Sequence, residues 1–170
     1  MLRLSAIVLA IVCLRAECDG VYMAPPSPFL DCMARNVYHE ARGEGELGML
    51  AVAHVVINRS KDPRWSDDVC EVIYQPQQFS WANKRTRSVP RGQPGSPAER
   101  TRLTSRLLVW AALAQRADEG QPNRKKRSGN QHFIDPTNGA TFYHERSVHP
   151  AWARKMKKVA VIGNHIFYKG

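Results

Sequence analysis

The sequence predicts an α+β domain, mainly helical, with a small C-terminal β-hairpin or sheet. Three observations predict it. Apolar residues recur at three- and four-residue steps over 28–41 and again over 97–117, the period of a helix packed on one side. Residues 46–58, ELGMLAVAHVVIN, are apolar on nearly every side, as a central buried helix must be. Beyond Gly139 the composition changes, because ATFYH and VAVIGNHIFYK are rich in β-branched and aromatic residues. No internal repeat interrupts this order, and 170 residues suit one core.

The chain opens with Arg3, an apolar run from Leu4 to Leu14, and small residues such as Ala16. That is the layout of a secretory signal peptide. The run rises only about 16 Å as a helix against a hydrocarbon slab of roughly 30 Å, so a stable span is disfavoured. Residues 1–18 are therefore read as a signal peptide or a short releasable anchor, and 27–170 as the domain it exports. The mature protein is expected to be secreted or periplasmic, with only transient membrane contact through this segment, and monomeric.

The first helix starts at Ser27 and Pro28, where a hydroxyl can cap a free amide and proline fits the first turn. Leu30, Met33, Ala34, Val37 and Ala41 form its apolar face, and Gly43 can end it. Residues 62–81 are mixed in pattern. From Asn83 to Pro97 three prolines, two glycines and four basic residues read as an exposed loop. Ser96, Pro97 and Glu99 then supply a cap, a first-turn proline and a capping-box acid, and Leu103, Leu107, Trp110, Ala114 and Ala117 continue as one stripe. Gly120 and Pro122 stop that helix, and Arg124 to Arg127 read as a solvated loop. Gly163 and Asn164 suit a two-residue hairpin turn.

Lys and Arg outnumber Asp and Glu by 25 to 15, giving a net charge of +10 and a pI near 9.8. Such a surface favours polyanions: nucleic acid, anionic lipid or an acidic wall. Export and basic runs without interleaved aromatics argue against nucleic acid. Of four cysteines, Cys13 and Cys18 lie in or beside the leader. Cys32 and Cys70 remain for a disulfide or for two buried thiols. No CxxC spacing supports a zinc ribbon.

The segment NVYHEARGEGE, residues 36–46, holds the best candidate acid. At about 100° per residue, Glu40 lies on the border of the apolar stripe, where it can line a cleft. It also sits in the last helical turn, where the dipole and partial burial disfavour ionisation. A carboxyl that keeps its proton can protonate a glycosidic oxygen; the same glutamate can also be structural, beside Arg35 or Arg42. His39 and Glu40 begin a zinc-protease pattern, but position 43, where the second His belongs, is Gly. Cys32 as a nucleophile has no supporting local pattern. His54, on an apolar helix, reads as a core histidine, and no metal or cofactor is expected.

EARGE at 40–44, AVAHVVINR at 51–59, QFSW at 78–81, DPTNGA at 135–140, and TFYH with VHPAW and IGNHIFY together resemble the spore cortex-lytic (SleB-type) cell wall hydrolases of bacteria and phages. The motifs run in family order from about Met33 to Tyr168. The resemblance implies a lysozyme-like domain that cuts peptidoglycan between N-acetylmuramic acid and N-acetylglucosamine as a cofactor-free lytic transglycosylase. It places Glu40 as the catalytic glutamate. Gln78, Ser80 and Trp81 would then form a cleft wall, and Thr141, Tyr143 and His144 the strand facing it. Phe79, Trp152, Ile162 and Phe167 are assigned to packing. The basic stretch opening at 82–85 departs from the family pattern.

The expected partners are peptidoglycan glycan strands and the anionic wall surface. A hydrolytic muramidase would need a second carboxylate, for which Glu44, Glu46, Asp135 and Glu145 are available. A different class is a catalytically inactive secreted protein that holds the wall through Arg85, Arg87, Arg124, Lys125, Lys126 and Lys157.

Overall fold

The computed structural model describes residues 28–82, 89–119 and 135–170, with side chains in the last helix described as far as Leu113. The leader, the Ser27 cap, the stop signals Gly120 and Pro122, and the basic runs at 84–87 and 124–127 lie outside these residues. Within them the order is α1 Pro28–Ala41, α2 Gly45–Arg59, α3 Val69–Tyr74, α4 Pro97–Glu119, β1 Phe142–Glu145, a 3-10 turn at Ala151–Lys155, β2 Lys157–Ile162 and β3 His165–Lys169. The predicted α+β class is what is observed.

α2 is the central helix, buried continuously from Gly48 to Ile57. The predicted face of α1 (Leu30, Met33, Ala34, Val37, Ala41) is buried, and with Val52, Val56, Ile73 and Val109 it makes the helical core. Burying each of the larger aliphatic side chains among them stabilises by about 1.5–3 kcal/mol. His54 is a core histidine, 4% exposed.

Two features differ from expectation. The mixed stretch 62–81 contains α3, six residues too short to show a period. Its start is marked only by Asp68, whose carboxylate accepts the Cys70 and Glu71 amides at 2.7 and 3.2 Å. α3 sets Cys70 against Cys32 of α1, and the two form a disulfide. In α4, Leu103, Leu107 and Trp110 are 49, 65 and 47% exposed, so the predicted stripe is the outer face over these three residues. The buried face is Ser105, Leu108, Val109 and Ala112. Ser105 can lie in that seam because its hydroxyl donates to the Thr101 carbonyl at 2.8 Å. The predicted cap stands: Ser96 Oγ accepts the Glu99 amide at 3.2 Å, and Glu99 reaches back to the Gly95 amide at 2.6 Å.

The sheet is antiparallel in the order β1-β3-β2. Gly163, with φ +55°, takes the first turn position between β2 and β3, as a type II′ turn requires. One face, carrying Phe167, Tyr143, Ala160 and Ile162, packs on Ala51 and Val55 of α2. That contact brings β1 over the end of α1.

Candidate active site

Two polar anchors hold the sheet to α2, one just before its start and one in its last turn. Glu44, in the turn before α2, accepts the Asn164 amide at 2.5 Å across the hairpin turn and lies 3.9 Å from His165 Nδ1. A Cβ on Gly48 or Gly163 would overlap Glu44, so glycine at both positions makes this contact possible. Asp135 forms the other anchor, accepting the Thr137 amide at 2.8 Å and hydroxyl at 2.6 Å, the Gly139 amide at 2.8 Å and Asn58 Nδ2 at 2.9 Å. Burial alone would raise its pKa; the Thr137, Asn58 and Gly139 bonds outweigh that and hold it low. The DPTNGA motif is thus a clamp that sets the entry to β1.

Glu40 lies in the last turn of α1. Its Oε2 accepts the Tyr143 hydroxyl at 2.9 Å. Burial pushes the Glu40 pKa up, the Tyr143 bond opposes this, the Glu145 charge adds to it and the Arg59 charge opposes it; the net direction is upward. Burial, then the charge and hydrogen bond of Glu40, raise the Tyr143 pKa well above the ordinary phenol value, so Tyr143 remains a donor. Arg42 sits over the Tyr38 ring at 5.6 Å.

Arg59 closes the floor. It is 6% exposed, donates Nε–H to the Thr141 carbonyl at 2.7 Å, and places its guanidinium 5.6 to 5.8 Å from the Trp65, Phe79 and Phe142 ring centres. Burial lowers its pKa while Tyr143 and Glu40 raise it. Neither Asn58 nor Arg59 was singled out from the sequence. The available signal was a polar pair ending a helix whose preceding residues, Gly48 to Ile57, are all buried, since buried polar groups must find partners.

Of the residues assigned to the site, the structure brings Tyr143 directly onto Glu40. Half-buried Gln78 and exposed Ser80 flank Phe79, on the rim beside Arg59. Trp81 is corrected: it is 5% exposed, gives its N–H to Asn36 at 3.2 Å, and stacks beneath His39 at 4.8 Å, a core residue and not a wall. Thr141 is buried behind the site, with its backbone bonded to Arg59 and Tyr168. His144 is also corrected. Successive strand residues point to opposite faces, so it turns away from Glu40 to stack on Tyr168 at 5.2 Å and meet Trp152 edge-on.

The four other carboxylates sort cleanly. Glu44 and Asp135 are engaged in the anchors, and Glu46 is exposed in the first turn of α2. Glu145 follows Tyr143 by two residues, on the same face of β1, and its charge reaches Glu40.

A carboxyl whose pKa burial raises, at a helix end and faced by a phenol, marks the candidate site of this mainly helical domain. The chain belongs to the cell wall hydrolase family, whose profile matches residues 43–168. That match begins just after Glu40. A spore cortex-lytic enzyme of Halalkalibacterium halodurans is 32% identical over 139 residues, covering 81% of this chain and 34% of the relative. The chain spans 34 to 44% of the length of the curated relatives it matches. The fold is similar to two solved structures, each 25% identical over 88% of this chain. One is the catalytic domain of the germination-specific lytic transglycosylase SleB of Bacillus anthracis, wholly covered with TM-score 0.58. The other is the catalytic domain of Bacillus cereus SleB, 95% covered with TM-score 0.61. No helix among the described residues is long and apolar enough to cross a membrane.

Proposed function

We propose that the chain degrades peptidoglycan as a glycosidase, cutting the bond between N-acetylmuramic acid and N-acetylglucosamine with Glu40 as general acid and base. The Glu40–Tyr143 pair carries this reading, because it joins a carboxyl whose pKa burial raises to a donor that steadies the carboxylate left after transfer. Glu40 protonates the bridging oxygen while the muramyl N-acetyl group supports the cationic carbon. The Glu40 carboxylate then takes the proton of the C6 hydroxyl as that oxygen closes on the same carbon. Atoms balance without water, and the product is a 1,6-anhydro-muramic acid end. The lytic transglycosylase description of the anthracis relative supports this outcome.

A hydrolytic outcome is the second reading, and Glu145 favours it as the second carboxylate on the Glu40 side of β1. We assign residues 27–170 to the catalytic domain and 1–18 to an export signal, as its apolar run suggests. Glu40→Gln keeps size and hydrogen-bonding atoms while removing the transferable proton. Clearing of purified peptidoglycan should fall by at least about 10²-fold with the fold intact. Retention of more than about a tenth of wild-type activity would reject the assignment.

A further inference from the structure

The guanidinium of Arg59 touches three of the segments around the candidate site. Its Nε donates to the Thr141 carbonyl at 2.7 Å, one residue before β1. The rings of Trp65 in the segment before α3, Phe79 in the loop after it, and Phe142 of β1 stand 5.6 to 5.8 Å away. Its Nη1 is buried and makes no hydrogen bond among the described residues. Stability alone disfavours an unanswered buried donor, so a plain structural tie does not account for this arginine. Thr141 is also held from β3, its amide donating to the Tyr168 carbonyl at 3.0 Å. β1 is an edge strand paired on one side by β3, and Tyr143 follows Thr141 by two residues, the strand repeat. The Tyr143 hydroxyl reaches Glu40 at 2.9 Å, near the long end of the usual range of about 2.5–3.0 Å, so a small slip of β1 would break it.

We propose that Arg59 is a positioning residue for the cleavage: through the Thr141 carbonyl it fixes the start of β1, and with it the Tyr143 hydroxyl, against Glu40. The inference rests on the reading of Glu40 as the acid. Lysine cannot stand in, because an ammonium lacks the planar group that meets a carbonyl while lying among three rings. The titratable groups that act on Arg59 or Glu40 are each other, Tyr143 and Glu145.

Arg59→Lys keeps the charge and loses the Nε contact. On soluble glycan strands kcat should fall about tenfold with KM within about twofold, since a side chain 6% exposed does not meet substrate. The alkaline limb of the pH-rate profile should move to higher pH, as for Tyr143→Phe, because Glu40 loses the same donor. In a Tyr143→Phe background the same substitution should cost less than about twofold. Losses that simply multiply in the double variant, or a fall carried by KM alone, overturn the proposal. A measurement on the wild-type chain covers the case in which Arg59→Lys does not fold. With 13C at tyrosine Cζ and 15N at arginine Nε, the Tyr143 and Arg59 resonances should titrate with one midpoint, and both movements should vanish in Glu40→Gln. An Arg59 resonance that does not follow Tyr143 also overturns the proposal. Because this titration needs no turnover, a wild-type chain inactive on peptidoglycan refutes the Glu40 reading separately.

Discussion

At Glu40, opposing influences act on one carboxyl. Burial raises its pKa, while Tyr143 and Arg59 hold the rise in check. Tyr143→Phe removes a donor that favours the carboxylate, so the alkaline limb of the pH-rate profile should move to higher pH and the maximal rate should fall about tenfold. A limb that stays in place would mean that the phenol does not act on Glu40. Stability carries a second sign. Because the folded pKa is raised, Glu40 contributes stability that is present below its unfolded pKa and lost as pH rises through the folded value. Glu40→Gln should therefore melt above wild type at about pH 8 and nearly level with it at about pH 4. An equal gap at both pH values would contradict the buried-acid account. The border position of Glu40 on α1 was legible from helical spacing, which left a structural glutamate open; its assignment as the acid came from the EARGE resemblance. Arg59 was not legible, since its partners Thr141, Phe79 and Phe142 are distant in sequence.

Elements with one clear period were the legible ones. α1 showed its buried face, and the Gly163–Asn164 turn showed the hairpin. α4 misled because its exposed face carries larger apolar side chains than its buried one, where Ser105 and Ala112 allow close approach to α1 and α2. Tertiary packing, not hydrophobicity, chose the face. α3 had too few residues for any period. The hairpin depends on glycine for a reason beyond its turn: an alanine at 163 would be strained at φ +55° and would displace Glu44 from the Asn164 amide. Gly163→Ala should cost about 1–3 kcal/mol, read as a lowered Tm with faster exchange of the β2–β3 amides. An unchanged Tm would show that the Glu44 anchor bears no strain.

Across the whole molecule there are two apolar clusters, one among the helices and one between α2 and the sheet, with Tyr143 packed against both. The Glu44 and Asp135 anchors join them, and Glu40 meets Tyr143 at the seam. Activity is thereby coupled to how the sheet docks, a relation invisible to periodicity because it links residues 103 positions apart. The most direct test of this account is mass spectrometry of muropeptides released by the wild-type chain, before and after borohydride. One acid serving both proton transfers requires 1,6-anhydro-muramic acid ends, lighter by one water than hydrolytic ends and resistant to reduction. Predominantly reducible muramic acid would contradict the single-acid mechanism and turn attention to Glu145. Free peptide amines without new sugar ends would contradict glycan cleavage altogether.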